Sequence, residues 1–214
     1  MLSHNSMKHT LPLGLIASLF LLLFWTTAES ALAATNDNST VKLEGMYTKG
    51  SGDIIAVEYV DLECSFCKKL YHTMVKVMDK YQGKLVWGYK NFPVKIHSKA
   101  KRESLASECA AEQKRLYPFM KNLFRTTTFS NNFSDHDLVN LAVGADIEPK
   151  QFRRCLKSRK YLNKVNQNIA EGKRLGVTGT PTLLLVDSSG QILDRIDGAV
   201  SVYDISIVLD QYID

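Results

Sequence analysis

Apolar and polar positions alternate along this chain in two rhythms, one belonging to strands and one to helices. Ile54-Ile55-Ala56-Val57-Glu58-Tyr59-Val60 is a β-branched, mostly apolar run bounded by Gly50-Ser51-Gly52, which predicts a strand covered on both faces. From Cys67 onward, Leu70, Tyr71, Met74, Val77, Met78 and Tyr81 recur at three- and four-residue steps, the buried face of a helix that Gly83 closes. Lys84 to Phe92 reads as a second strand, stopped by Pro93. Helical spacing then takes over. Leu105, Ala106, Cys109 and Ala110 line one helix, Leu116 to Phe124 forms another, and Ser134 with Asp137 caps a third that ends at Gly144. Pro149 opens a fourth, with Phe152, Cys155 and Leu156 on one face, and Tyr161 to Lys173 makes a longer fifth through Leu162, Val165 and Ile169. Strand character returns at Thr182 to Val186, and the turn Ser188-Ser189-Gly190 leads into a hairpin partner from Gln191 to Ile196. Val202 to Tyr212 is a short amphipathic helix, and Val41 to Lys49 reads as one extra strand near the start. A βαβ half, a helical insertion at about 96–174 and a ββα half make a sheet covered by helices, so the class is α/β.

The N-terminal segment has a different pattern. Lys8 and His9 precede an apolar run from Leu11 to Trp25, and the segment ends Ser30-Ala31-Leu32-Ala33-Ala34. A short positive region, an apolar stretch and an A-x-A-like end describe a cleaved secretory signal, with the cut expected after Ala33. Met7 is an alternative start. The competing reading is a retained membrane anchor, for which about 15 apolar residues are short against the roughly 20 that a hydrocarbon core needs. Residues 34–214 then form one domain, large enough to bury a real core.

Charge narrows the picture a little. The formal net charge is +5, with lysines and arginines spread along the chain rather than gathered in a stripe with interleaved aromatics, so nucleic acid is not an expected partner. The four cysteines, Cys64, Cys67, Cys109 and Cys155, are an even number in a chain read as exported, which fits an oxidising compartment such as the periplasm.

The first strand passes through Asp61-Leu62-Glu63 directly into Cys64-Ser65-Phe66-Cys67 at the start of a helix. Unpaired N–H groups and a partial positive charge at a helix N-terminus favour a thiolate, and the thiolate is the reactive form of sulfur. Two intervening residues let the sulfurs meet across one turn and cycle between dithiol and disulfide. A lone C-x-x-C could also be half a zinc site or a small structural clip. A zinc site would need another Cys or His pair at ligand spacing, and Cys109, Cys155, His72 and His97 stand apart in the sequence. No metal or other cofactor is expected. Val177-Thr178-Gly179-Thr180-Pro181-Thr182 precedes the third strand. The Thr180-Pro181 bond is either an ordinary loop proline or a cis bond held for a close approach.

Taken together, Glu58 to Cys67, Asn91-Phe92-Pro93, the helical insertion and Glu171 to Thr182 resemble the DsbA-like branch of the thioredoxin superfamily, over essentially the whole of residues 34–214. The resemblance implies a thioredoxin-like fold with an inserted helical subdomain. It implies a cis bond before Pro181 beside the two sulfurs, with Thr180 backbone groups pairing to an extended substrate and Ser65 and Phe66 at the same surface. It also implies an exposed nucleophile in Cys64 and a buried partner in Cys67. Glu58, six residues before Cys64, matches the acid that moves protons for the inner cysteine; otherwise it is a strand-edge carboxylate in water. Cys109 and Cys155 match a non-catalytic bridge found in some relatives, the other reading being two separate buried thiols. Such a bridge would contribute roughly 4 kcal/mol at most through the chain entropy of its loop.

One departure stands out. The strongest oxidants of that family carry Pro-His between the cysteines, and this chain has Ser65-Phe66. With no ring nitrogen near Cys64, the thiolate is expected to depend on the helix terminus more than on a local donor, and the pair to be a milder oxidant. The resemblance implies an enzyme that introduces disulfides into unfolded or reduced exported proteins and is reoxidised by a quinone-linked membrane protein. The alternatives are an isomerase or reductase kept reduced by a membrane partner and, more remotely, a metal-binding or chaperone module reusing the fold.

Overall fold

In the computed structural model, which describes Met1 and residues 39–128 and 133–213, strands β1 (Tyr47–Ser51), β2 (Ile54–Val60), β3 (Leu85–Asn91), β4 (Thr182–Val186) and β5 (Ile192–Asp197) form one sheet in the order β1-β3-β2-β4-β5. The elements all lie in the unit Asp37–Asp214. The signal-peptide reading of residues 1–33 falls outside the described residues. β2 runs parallel to β3 and antiparallel to β4, and β1 and β5 close the edges as antiparallel strands. Helix α1 (Ser65–Lys80) connects β2 to β3, and α7 (Val202–Leu209) follows β5. Between β3 and β4 stand α2 (Ala100–Glu112), α3 (Leu116–Thr126), α4 (Asp135–Val143), α5 (Pro149–Ser158) and α6 (Leu162–Arg174).

Alternation along the central strands explains how the sheet is covered on both faces. Ala56 and Val60 of β2, with Leu183 and Leu185 of β4, join the large core beneath α1, α7 and the insertion, whereas Val57, Tyr59, Leu184 and Val186 face a second cluster with Phe92, Leu175 and Val177. Glu58 shares the parity of Ala56 and Val60, so its carboxyl enters the larger core. α1 buries Leu70, Tyr71, Met74, Val77 and Met78 on that side, as its periodicity predicts. A disulfide joins Cys109 of α2 to Cys155 of α5, tying two helices of the insertion together.

Some boundaries differ from expectation. The extra strand is Tyr47–Ser51 rather than Val41 to Lys49, because the chain turns first: Met46 N–H donates to Leu43 O at 3.2 Å, and Gly45 has φ 67°. Val41 instead donates to Gly190 O at 2.8 Å, near the opposite sheet edge. Gly50 and Ser51, expected as a boundary, belong to β1, and the strand stops at Gly52, where a Cβ would lie 2.1 Å from the Lys84 carbonyl carbon. α7 ends at Leu209 rather than Tyr212, and its start carries a capping box between Ser201 and Asp204.

Candidate active site

The site is built where β2 hands over to α1. Cys64 is the N-cap of α1, with extended backbone (φ −77°, ψ 123°); no side chain caps the helix, and no acid occupies its first turn. The free N–H groups of that turn are therefore available to a sulfur. The Cys67 thiol hydrogen-bonds the Cys64 sulfur and is the largest influence lowering the Cys64 pKa, which comes down to about 6 against the opposing effect of burial. The backbone N–H groups of Cys67 and Phe66 act in the same direction. This corrects the expectation that a local donor would matter less than the helix terminus: the strongest donor is the second cysteine.

The two sulfurs are unequal. Cys67 is fully buried, and burial, followed by the hydrogen bond and charge of Cys64 and the charge of Glu58, pushes its thiol well above the usual range. Asp61 N–H donates to Cys67 Sγ at 3.4 Å. Cys64 is 6 % exposed, so it is not the open sulfur that the resemblance implies. It remains the more accessible of the two, and Phe66, two residues on, is 55 % exposed. Ser65 beside it is half-buried.

The loop before β4 closes the site from the other side. Thr180-Pro181 is a cis peptide, and Cys64 Sγ lies 3.5 Å from Thr180 O. Thr180 is half-buried and Pro181 buried. Two segments more than a hundred residues apart in sequence thus meet at one sulfur. Glu58 is 1 % exposed on the central strand, which corrects the reading of it as a strand-edge carboxylate in water. Burial raises its pKa to about 8, although Trp87 Nε1–H donates to Oε2 at 2.9 Å and acts to lower it.

Sequence reasoning misses three further residues of the site. Asp61 Oδ1 accepts from Glu63 N–H at 2.9 Å, Asp61 Oδ2 accepts from Val94 N–H at 2.8 Å, and His97 Nδ1 lies 2.9 Å from that same Oδ2. Glu63 Oε2 accepts from Lys99 and Ala100 N–H at 2.8 and 3.0 Å. Asp61 and Glu63 are visible in the sequence as acids next to the cysteine turn, but their partners lie in the β3–α2 loop. His97 stands isolated in the sequence because Asp61 approaches it only in three dimensions. Among the described residues no three His, Cys, Asp or Glu side chains converge as metal ligands.

Residues 51–196 match the family model described as Thioredoxin. The chain belongs to the thioredoxin family. In this family member a dithiol stands at the strand–helix junction with a cis-proline loop against it. Its fold is that of DsbA-type structures. BdbD from Bacillus subtilis is 20 % identical with a TM-score of 0.70, covering 81 % of this chain and 95 % of that one. The thiol-disulfide exchange protein alpha-DsbA2 from Wolbachia pipientis is 18 % identical with a TM-score of 0.66, covering 78 % and 86 %. In sequence, the chain is 29 % identical over 132 residues to the Na(+)/H(+) antiporter NhaA 1 of Mycolicibacterium gilvum, a match covering 60 % of this chain and 21 % of the antiporter. The chain thus spans about a fifth of the length of the curated relatives it matches. Among the described residues no helix is long and apolar enough to cross a membrane.

Proposed function

We propose that this protein introduces disulfides into exported proteins through Cys64 and Cys67. The observation that carries the reading is the asymmetry of the two sulfurs: one with a pKa of about 6 beside Thr180 O, the other buried and held protonated.

In the oxidised enzyme, a substrate thiolate attacks Cys64 Sγ. The Cys64–Cys67 bond breaks, its electron pair goes to Cys67 Sγ, and Glu58 delivers the proton that makes Cys67 a thiol. A second substrate thiolate attacks the substrate sulfur of the mixed disulfide, and Cys64 leaves as a thiolate. Two electrons pass from the substrate sulfurs to the enzyme, and solvent returns a proton to Glu58. An extended substrate segment pairs with Thr180 backbone groups, while Phe66 and Ser65 supply side-chain contact. A disulfide-bearing membrane protein linked to quinone takes the two electrons back. Export through a cleaved signal ending near Ala33, and action in the periplasm, fit the Cys109–Cys155 bridge, because such bonds persist in oxidising compartments.

Cys64→Ser tests the reading directly: thiol oxidation and insulin reduction should both vanish, and unchanged activity overturns it. Equilibration of the pair with glutathione sets the direction. A potential of about −120 to −180 mV supports an oxidase, and one near about −270 mV a reductase.

A further inference from the structure

Asp61 touches both the cysteine turn and the loop opposite it. Its backbone O accepts from Cys64 N–H at 3.1 Å, its N–H donates to Cys67 Sγ at 3.4 Å, and its Oδ2 meets His97 Nδ1 at 2.9 Å. Val94 N–H donates to that same oxygen, fixing the His97 loop on the turn. The His97 side chain is only 15 % exposed, although Ile96 before it projects into solvent. The imidazole is therefore held by contacts made on the same three-residue turn that delivers Cys64.

We propose that His97, positioned by Asp61, supplies the cation that the Ser65-Phe66 dipeptide lacks, pairing electrostatically with the Cys64 thiolate in the reduced enzyme. This rests on Cys64 being the reacting sulfur. Burial pushes the His97 pKa down, but the Asp61 contact and the charges of Asp61, Cys64 and Glu63 outweigh it and hold the ring above its usual range. Coupling of this kind is reciprocal, so an imidazolium favoured by the thiolate favours the thiolate equally. The charged groups facing His97 are Asp61, Glu63 and Cys64, all on the β2–α1 turn. Lys95 and Lys99 flank it on its own loop, and Lys68 of α1 is directed to Thr127 O at 2.9 Å.

One consequence separates this role from a purely structural one. When Cys64 is tied up in a disulfide its negative charge disappears, and His97 loses one of the anions that favour its protonation. Reduction of the pair therefore draws a proton toward His97, and the two groups titrate as a coupled system.

The test is proton NMR of the imidazole resonances of the full chain against pH, in the dithiothreitol-reduced and diamide-oxidised forms, with the His97→Gln spectrum assigning the signal. The His97 pKa should be higher in the reduced form, by on the order of half to one pH unit. Reduced Cys64→Ser should give the oxidised-form value. His97→Gln should raise the midpoint of thiolate absorbance at 240 nm, slowing iodoacetamide alkylation below that midpoint up to about tenfold, and His97→Lys should restore most of it. Equal His97 pKa values in both redox states overturn the proposal, as does an unshifted thiolate midpoint in a folded His97→Gln protein. If His97→Gln fails to fold, the His97→Lys spectrum assigns the signal and the comparison of redox states decides. An inert pair in the glutathione equilibrium counts against the oxidase reading instead, and leaves the titration to judge this one.

Discussion

Trp87 Nε1–H donates to Glu58 Oε2 at 2.9 Å, so a buried carboxyl on β2 is held from β3, on the sheet face that carries α1. The hydrogen bond does not offset burial, and the Glu58 pKa stays near 8. Between about pH 4.5 and 8, folded Glu58 keeps a proton that the unfolded chain has lost. The folded state binds more protons there, and stability falls as pH rises through that window. Glu58→Gln should therefore flatten the pH dependence of unfolding by up to about 1.4 kcal/mol per pH unit. It should also slow the step that forms and consumes the Cys67 thiol. Urea titrations at several pH values and stopped-flow thiol oxidation measure the two effects. An unchanged pH slope would sink the assignment of Glu58 as a buried proton carrier.

The Cys67 thiol, rather than the helix terminus alone, does most to lower the Cys64 pKa. Cys67→Ala removes that donor while leaving the N–H groups of α1 in place. Alkylation of Cys64 should then need a higher pH, and its rate near pH 6 should fall about tenfold for every pH unit that its midpoint climbs. In the wild-type reduced protein, one thiol should react with a midpoint of about 6 and the second stay silent well into the alkaline range. Mass spectrometry after timed iodoacetamide exposure distinguishes them.

How much of this is legible in the sequence depends on the range of the contacts. β2, α1, β4 and the capped start of α4 are readable because each is decided within a few residues: the apolar run from Ile54, the spacing after Cys67, Thr182 to Val186, and the reciprocal Ser134–Asp137 bonds. The dithiol and the proline loop are legible as motifs, and the cis bond at Pro181 is where the motif places it. The partial burial of Cys64 is not legible, because it arises from neighbours such as Thr180 that pack on it only after folding. The Asp61–His97 contact escapes for the same reason, since nothing local to either residue announces the other. β1 is misplaced by its pattern because Val41 and Leu43 continue an apolar rhythm across a turn that Gly45 makes.

Glu63 acts as a remote cap. Its carboxylate takes the N–H groups of Lys99 and Ala100 at the start of α2, whose own N-cap residue makes no side-chain bond. Glu63→Ala leaves those two donors unpaired in a largely buried place, which costs about 1–2 kcal/mol. Because the same residue follows Leu62 into the cysteine turn, hydrogen exchange should quicken both at the start of α2 and around Cys64. Protection lost at neither place would leave the contact without energetic weight.

The Cys109–Cys155 bond closes a loop with a sequence separation of 46 and joins α2 to α5 within the insertion. In the chain-entropy picture that constraint is worth about 4 kcal/mol at most. A Cys109→Ala, Cys155→Ala double variant should unfold at lower urea by an amount in the range of about 2–4 kcal/mol. Its Cys64–Cys67 pair should keep the wild-type equilibrium with glutathione, since β2, α1, the Pro181 loop and the β3–α2 loop that carries His97 make the contacts that set it. A double variant whose stability is unchanged would show that the bond is energetically idle. A shifted glutathione equilibrium in a folded variant would instead mean that the insertion feeds into the redox site, and the two-sulfur account of that site would have to be widened to include α2.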